Sequence, residues 1–156
     1  MKIKETYKTK EKIMNNSLTE EQVKVLNMSQ SVINEVRKVI IGKDEIIIKV
    51  LLSILAGGHI LIEDIPGVGK TTLAVALSKA LSLDYKRLQF TPDVLPTDVT
   101  GFTILNKETH KFEYKQGAAL TNLFLADEIN RTSSKTQSAL LEVMEEGKVT
   151  VDGITH

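Results

Sequence analysis

A chain of 156 residues, 42% of them hydrophobic and 26% charged, is long enough to bury one sizeable core. Lys plus Arg and Asp plus Glu both number 20, so the formal charge is zero, which argues against a generally basic nucleic-acid binder and against an acidic solvating tail. The absence of Cys excludes disulfides, thiol catalysis and Cys-ligated zinc or iron–sulfur sites, and the absence of Trp argues against an aromatic platform for single-stranded nucleic acid.

Residues 1–17 carry Lys2, Lys4, Lys8, Lys10 and Lys12 against Glu5 and Glu11 and read as a mobile tail. No apolar stretch follows that would make a signal peptide of it. Thr19-Glu-Glu-Gln22 then predicts a helix opened by a reciprocal capping box. Val25, Met28, Val32, Val36 and Val39 fall on one face of that helix, which should stop near Gly42. A second helix is expected over about 44–56. Glu45, Lys49 and Ser53 form a narrow polar stripe on an otherwise apolar cylinder, the pattern of a largely buried helix. The β-branched run Ile46-Ile-Ile48 would suit a strand, but the Glu45–Lys49 spacing favours the helix.

The 17 residues from 46 to 62 are the most apolar stretch. Lys49, Ser53, Gly57, Gly58 and His59 interrupt it, and a spanning helix needs about 20 mostly apolar residues. Two short elements split at the glycines are expected instead, with no membrane span, and a cytoplasmic location follows. His59-Ile-Leu-Ile62 reads as a parallel strand buried on both faces. Ala74–Leu83 reads as a helix and Tyr85–Phe90 as a strand. Thr91–Gly101 reads as irregular. Phe102–Leu105 and Lys111–Tyr114 suggest a hairpin across Asn106–His110, and Asn122–Ala126 a second buried strand. Ser134-Lys-Thr-Gln137 opens a helix that Gly147 closes. This alternation predicts an α/β fold with a parallel sheet.

The chemistry concentrates in Ile62-Glu-Asp-Ile-Pro-Gly-Val-Gly-Lys-Thr-Thr72. A triphosphate needs inward-pointing backbone N–H groups, a positive helix end, a reaching ammonium and a magnesium-binding hydroxyl. Pro66, Gly67, Val68, Gly69, Lys70, Thr71 and Thr72 form the candidate cradle for a nucleotide. Gly67 and Gly69 permit the tight turn, Lys70 can reach the β- and γ-phosphates, and Thr71 can coordinate Mg2+. Asp64 stands where the strict pattern has Gly. The second half is Leu123-Phe-Leu-Ala-Asp127-Glu128, two carboxylates at the end of an apolar strand 57 residues after Lys70. In an NTPase the first, Asp127, holds hydrated magnesium and the second, Glu128, polarises the attacking water. Two acids after an apolar run, taken alone, read as a strand leaving the core; the pairing with the Lys70 loop makes them a candidate site.

Asp64-Ile-Pro-Gly-Val-Gly-Lys-Thr-Thr72 with Ala126-Asp-Glu-Ile-Asn-Arg131 resembles the MoxR family of AAA+ ATPases. The resemblance extends through Thr91–Gly101, Lys135–Glu146 and Val149–Gly153, spans roughly residues 20–156, and makes Asp64 an ordinary family feature. It implies a P-loop NTPase core of three layers, residues 18–156 forming part of it, with the hairpin at about 101–116 inserted in the family's second helix and facing pore or substrate. It implies Mg2+-dependent hydrolysis of ATP in a ring, often a hexamer, that remodels or matures client proteins beside partners with a von Willebrand factor A domain. Ile40, Ile41 and Gly42 align with the region that packs on adenine. Gln116 and Ala118 stand where relatives often have proline. Members of the family are about twice this length. Their sensor Asn, arginine finger, second sensor and helical lid would all lie beyond His156, so weak folding or weak turnover is expected of this chain alone.

Among rivals, a GTPase lacks its Asn-Lys-x-Asp base reader here, and a small-molecule kinase does not need the Asp127–Glu128 pair. An ATP-binding or interaction fragment without turnover is the alternative from another class. Arg131 is expected either to sense nucleotide or to form a salt bridge, and His59, His110 and His156 are too scattered for a metal site.

Overall fold

The computed structural model describes residues 18–63 and 69–156. The chain divides into two compact units, the first ending at Ile60 and the second beginning at Leu61. The tail expected at 1–17 lies outside the described residues.

Among the described residues, the first unit holds α1 (Glu20–Arg37) and α2 (Asp44–Leu55), which pack on each other. The box that opens α1 forms as predicted: Thr19 Oγ1 accepts the Gln22 N–H at 3.3 Å, and Gln22 Oε1 accepts the Thr19 N–H at 2.9 Å. The helix ends at Arg37, five residues before Gly42, and Arg37 Nε instead reaches Asp44 Oδ1 at 2.9 Å, joining the end of α1 to the start of α2. Gly42 supplies the positive φ of the turn between them. The buried face is Ile33, Val36 and Ile40, whereas Val25, Met28 and Val39 are exposed. The predicted stripe therefore meets the buried face only at Val36, with Val32 half-buried beside it. Helix α2 buries Ile47, Val50 and Leu51 but exposes Leu52 and Leu55, so it is amphipathic rather than largely buried. Its polar stripe behaves as expected, with Lys49 Nζ 2.6 Å from Glu45 Oε1 and Ser53 Oγ donating to the Lys49 carbonyl at 3.0 Å.

The strand predicted over His59–Ile62 does not form. These residues are irregular, and Leu61 is 71% exposed. A run of apolar residues becomes a buried parallel strand only by pairing along its edges, and among the described residues no strand pairs with this one.

The second unit holds α3 (Lys70–Ala80), β1 (Tyr85–Gln89), α4 (Pro96–Thr100), β2 (Gly101–Leu105), β3 (Phe112–Gln116), β4 (Leu123–Asp127), a 3-10 turn (Ile129–Arg131), α5 (Ser134–Glu146), β5 (Thr150–Val151) and β6 (Ile154–Thr155). Strands β1 and β4 pair in parallel, in register from Tyr85 opposite Leu123 to Gln89 opposite Asp127. The Phe90 N–H extends the ladder to the Asp127 carbonyl at 2.8 Å. Strand β4 is half-buried along its length rather than wholly buried. One core is built on Phe90, Val99 and Leu140, against which Leu88, Phe124, Ala126 and Met144 pack. Helix α3 packs on β4 and buries Leu73 and Leu77.

The stretch Thr91–Gly101, expected to be irregular, contains α4. Pro96 opens it, its fixed φ suited to a first helical turn, and Asp98 Oδ2 accepts the Leu95 N–H at 2.8 Å. The hairpin of β2 and β3 forms with Gly101 opposite Gln116 and Leu105 opposite Phe112; at its open end it is longer than predicted by one residue of β2 and two of β3, and beside the loop β3 starts one residue later, at Phe112. Tyr114 of β3 donates its hydroxyl to the Thr100 carbonyl and stacks on His156, ring centroids 3.7 Å apart. Gly147 closes α5 in the left-handed conformation, as predicted.

Candidate nucleotide site

Gly69 sits at φ 90° and ψ 20°, a left-handed conformation that costs a glycine little, and from it α3 starts directly with Lys70, Thr71 and Thr72. No side chain caps this end among the described residues. The first N–H groups of a helix and the positive end of its dipole are where an anion is held. Lys70 and Thr71 are half-buried and Thr72 is exposed. Pro66, Gly67 and Val68, with Asp64, lie outside the described residues. Ile40 and Ile41 belong to the first unit, just after α1; Ile40 is buried and Ile41 is 86% exposed.

Asp127 is the last residue of β4, and Glu128 follows in a left-handed conformation at φ 58° and ψ 41°. For a residue with a side chain that region is sparsely populated and costs about 1–3 kcal/mol, a strain that persists only where the surroundings enforce it. The enforcing contacts are local. The Arg131 N–H donates to the Glu128 carbonyl at 2.9 Å, closing the 3-10 turn, and Gln137 Nε2 donates to the Ile129 carbonyl at 2.9 Å, tying that turn to α5. The backbone therefore turns immediately after the strand, with Asp127 its last residue and Glu128 the first of the turn.

Each acid also faces an arginine. Arg131 Nε lies 3.0 Å from Glu128 Oε2, so Arg131 forms the salt bridge that was one of its two expected roles. That carboxylate oxygen is shielded from solvent, and the contact is an ion pair by distance without the alignment of a hydrogen bond. On the neighbouring strand, Arg87 Nη2 lies 2.8 Å from Asp127 Oδ2 and 3.1 Å from Gln89 Oε1. The hydrogen bond to Asp127 is the main reason the Arg87 guanidinium is held above its ordinary range, with the charge of Glu128 a lesser contributor. Tyr85, two residues earlier on the same face, has a buried hydroxyl without a hydrogen-bond partner among the described residues, and burial pushes its pKa up. Sequence reasoning finds the two acids but neither Arg87 nor its pairing. Nothing local marks Arg87, because the contact depends on the register of two strands far apart in the chain.

The residues present suit a magnesium–phosphate centre of limited protein ligation. Among the described residues no cluster of three or more His, Asp or Glu could hold a metal ion by itself. One hydroxyl at Thr71 and one carboxylate at Asp127 match an ion that keeps most of its water and takes the rest of its ligands from phosphates.

A profile of the family described as "ATPase family associated with various cellular activities (AAA)" matches residues 59–156. The chain is 58% identical over 123 residues to the uncharacterized protein YeaC of Bacillus subtilis, a match covering 79% of this chain and 38% of that protein. It is 41% identical over 121 residues to the chaperone MoxR1 of Mycobacterium tuberculosis, covering 78% of this chain and 32% of the relative. Protein MoxR of Methylorubrum extorquens is 33% identical over 120 residues, covering 74% and 35%. A crystal structure of a "putative ATPase" from Cytophaga hutchinsonii superposes with a TM-score of 0.74 at 46% identity, over 83% of this chain and 39% of that one. The chain thus spans about a third of the length of the curated relatives it matches. With a profile match over more than half its residues, and a helix end and acidic strand end arranged as described, the chain belongs to the AAA ATPase family, in its MoxR branch.

Proposed function

We propose that this chain binds ATP with Mg2+ between the start of α3 and the end of β4, and hydrolyses it. The observation that carries this reading is the launch of α3 from a left-handed Gly69 straight into Lys70 and Thr71, with that helix packed on the strand that ends in Asp127. Pro66, Gly67, Val68 and Gly69 would wrap the phosphates with backbone N–H groups, as an anion at a helix N-terminus requires. Lys70 would meet the β- and γ-phosphates. Thr71 and Asp127 would hold the magnesium, which neutralises charge building on the phosphates. Glu128 would orient and polarise the attacking water, and Ile40 and Ile41 would pack on the base. Within a larger ATPase of this kind we place the chain in a ring, a hexamer, in the cytoplasm, acting on protein clients beside a von Willebrand factor A domain partner. The chaperone name of the mycobacterial relative supports a remodelling role.

A second reading, nucleotide binding without turnover, is favoured by one observation: Arg131 pairs with Glu128 Oε2 at 3.0 Å, and that oxygen is shielded from solvent. The two readings separate on Glu128→Gln. If Glu128 is the base, the variant keeps Mg2+-dependent ATP binding and loses about 10²–10⁴ in phosphate release. If native protein and variant bind alike and neither releases phosphate, the binding reading stands. Lys70→Ala should lose ATP binding under either, and retained binding would remove the α3 terminus from the site.

A further inference from the structure

We infer that Arg87 is a positioning residue for the metal-binding carboxylate, fixing Asp127 from the adjacent strand so that one oxygen stays aimed at a hydrated magnesium ion; this rests on the nucleotide-site reading above. Parallel pairing puts Gln89 opposite Asp127 and Leu125 opposite Arg87, so Arg87 and Asp127 are diagonal neighbours. Diagonal neighbours on one face are about 7–8 Å apart at the backbone, a gap a guanidinium on its long stem can close. Leu88 points into the core cluster, so Tyr85, Arg87 and Gln89 share the opposite face.

The contact is made by a single nitrogen. Arg87 Nη2 touches Asp127 Oδ2 at 2.8 Å and is itself steadied by Gln89 Oε1 at 3.1 Å, whereas a paired fork on both oxygens would consume the carboxylate. Engaging one oxygen fixes the rotation of the group and leaves Oδ1 outside this contact. A carboxylate that binds a metal is held in turn by hydrogen bonds from its surroundings, and losing such a partner typically costs about 10–100-fold in metal affinity. Asp127 needs that support more than most. It ends its strand, the backbone turns left-handed at the next residue, and its neighbour Glu128 is paired with a different arginine, Arg131.

The test is a Mg2+ titration of fluorescent-ATP binding to this chain, with native protein, Asp127→Asn, Arg87→Ala and Arg87→Lys, each checked for an unchanged melting temperature in EDTA. The expected result is a rise of about 10–100-fold in the Mg2+ concentration giving half-maximal binding for Arg87→Ala, with binding in EDTA unaltered. Because one nitrogen makes the contact, Arg87→Lys should recover most of the loss, and a purely structural role would not show this rescue at equal melting temperature. If Arg87→Ala leaves the Mg2+ requirement unchanged, or lowers it, while Asp127→Asn raises it, the positioning role is wrong and the nucleotide site stands. If native protein and Asp127→Asn show the same Mg2+ requirement, the site reading fails and the inference with it. Should Arg87→Ala melt early, Arg87→Lys against native protein decides alone: an unaltered melting temperature with a Mg2+ requirement raised more than about 10-fold overturns the single-nitrogen role.

Discussion

Thr136 in α5 is fully buried, and its hydroxyl donates to the Val94 carbonyl at 2.9 Å. The nearby Thr132 hydroxyl reaches the same carbonyl only at 3.4 Å, so Thr136 makes the shorter of the two side-chain hydrogen bonds that tie the segment after β1 to the region of the helix. Thr136→Val keeps the shape and removes the donor, leaving a partly buried carbonyl under-satisfied, and should cost about 1–3 kcal/mol. Urea denaturation followed by circular dichroism measures it, and a loss below about 0.5 kcal/mol would mean that water replaces the hydroxyl. Single residues of this kind divide sharply by legibility. Thr19 with Gln22, and Gly147, declare themselves because a cap needs only its own turn of helix. Lys70, Thr71, Asp127 and Glu128 are read from motifs a few residues long. Arg87 and Thr136 act across about 40 residues of chain, and no local pattern announces either.

At the scale of elements, what can be read depends on whether an element is closed by its own neighbours. Helices α1, α2 and α5 and the β2–β3 hairpin form close to their predicted positions, since their hydrogen bonds run within one continuous segment. The run 59–62 has the composition of a strand and no partner among the described residues, so composition alone misleads. The face of α1 is misplaced for the same reason: periodicity shows that a helix has an apolar side, and the packing partner decides which turns of it are covered. Helix α4 hides in a stretch of turn-forming residues, although Pro96 with Asp98 is a helix-start pattern. Asp152 and Gly153, both at positive φ, make the tight turn between β5 and β6.

The junction of α4 and β2 supplies the element-scale prediction. Gly101 lies at φ 93° and ψ 178°, a region open essentially to glycine alone, and an added Cβ would stand 2.6 Å from the Tyr114 hydroxyl oxygen and 2.7 Å from the Gly117 nitrogen. Gly101→Ala combines backbone strain with overpacking and should destabilise by about 2–4 kcal/mol. Gly42→Ala carries only the positive φ, with nothing within 4 Å of the new atom, and should cost about 1 kcal/mol. Equal losses in matched urea titrations would show that the crowding at Gly101 is relieved by movement of the hairpin.

For the molecule as a whole, the proposed function makes a demand on both units. The phosphate- and metal-facing residues from Gly69 to Thr72 and at Asp127 and Glu128 all belong to the second unit, while Ile40 and Ile41 belong to the first. If the base packs on Ile40 and Ile41, then ATP must change the exposure of a segment that the phosphates never touch, and Ile41 at 86% exposed has the most surface to lose. Amide hydrogen exchange separates the contributions. Inorganic tripolyphosphate with Mg2+ should protect the first turn of α3 and the end of β4 and leave residues 38–42 as they were. ATP with Mg2+ should protect the same two places and slow exchange at 38–42 as well, since binding to the folded form alone stabilises whatever it contacts by an amount set by ligand concentration over Kd. The two ligands share their phosphates and differ in the nucleoside, so protection at 38–42 by both would assign it to a phosphate-driven rearrangement. Protection by neither, with α3 protected by both, would remove Ile40 and Ile41 from the site and leave the phosphate cradle intact.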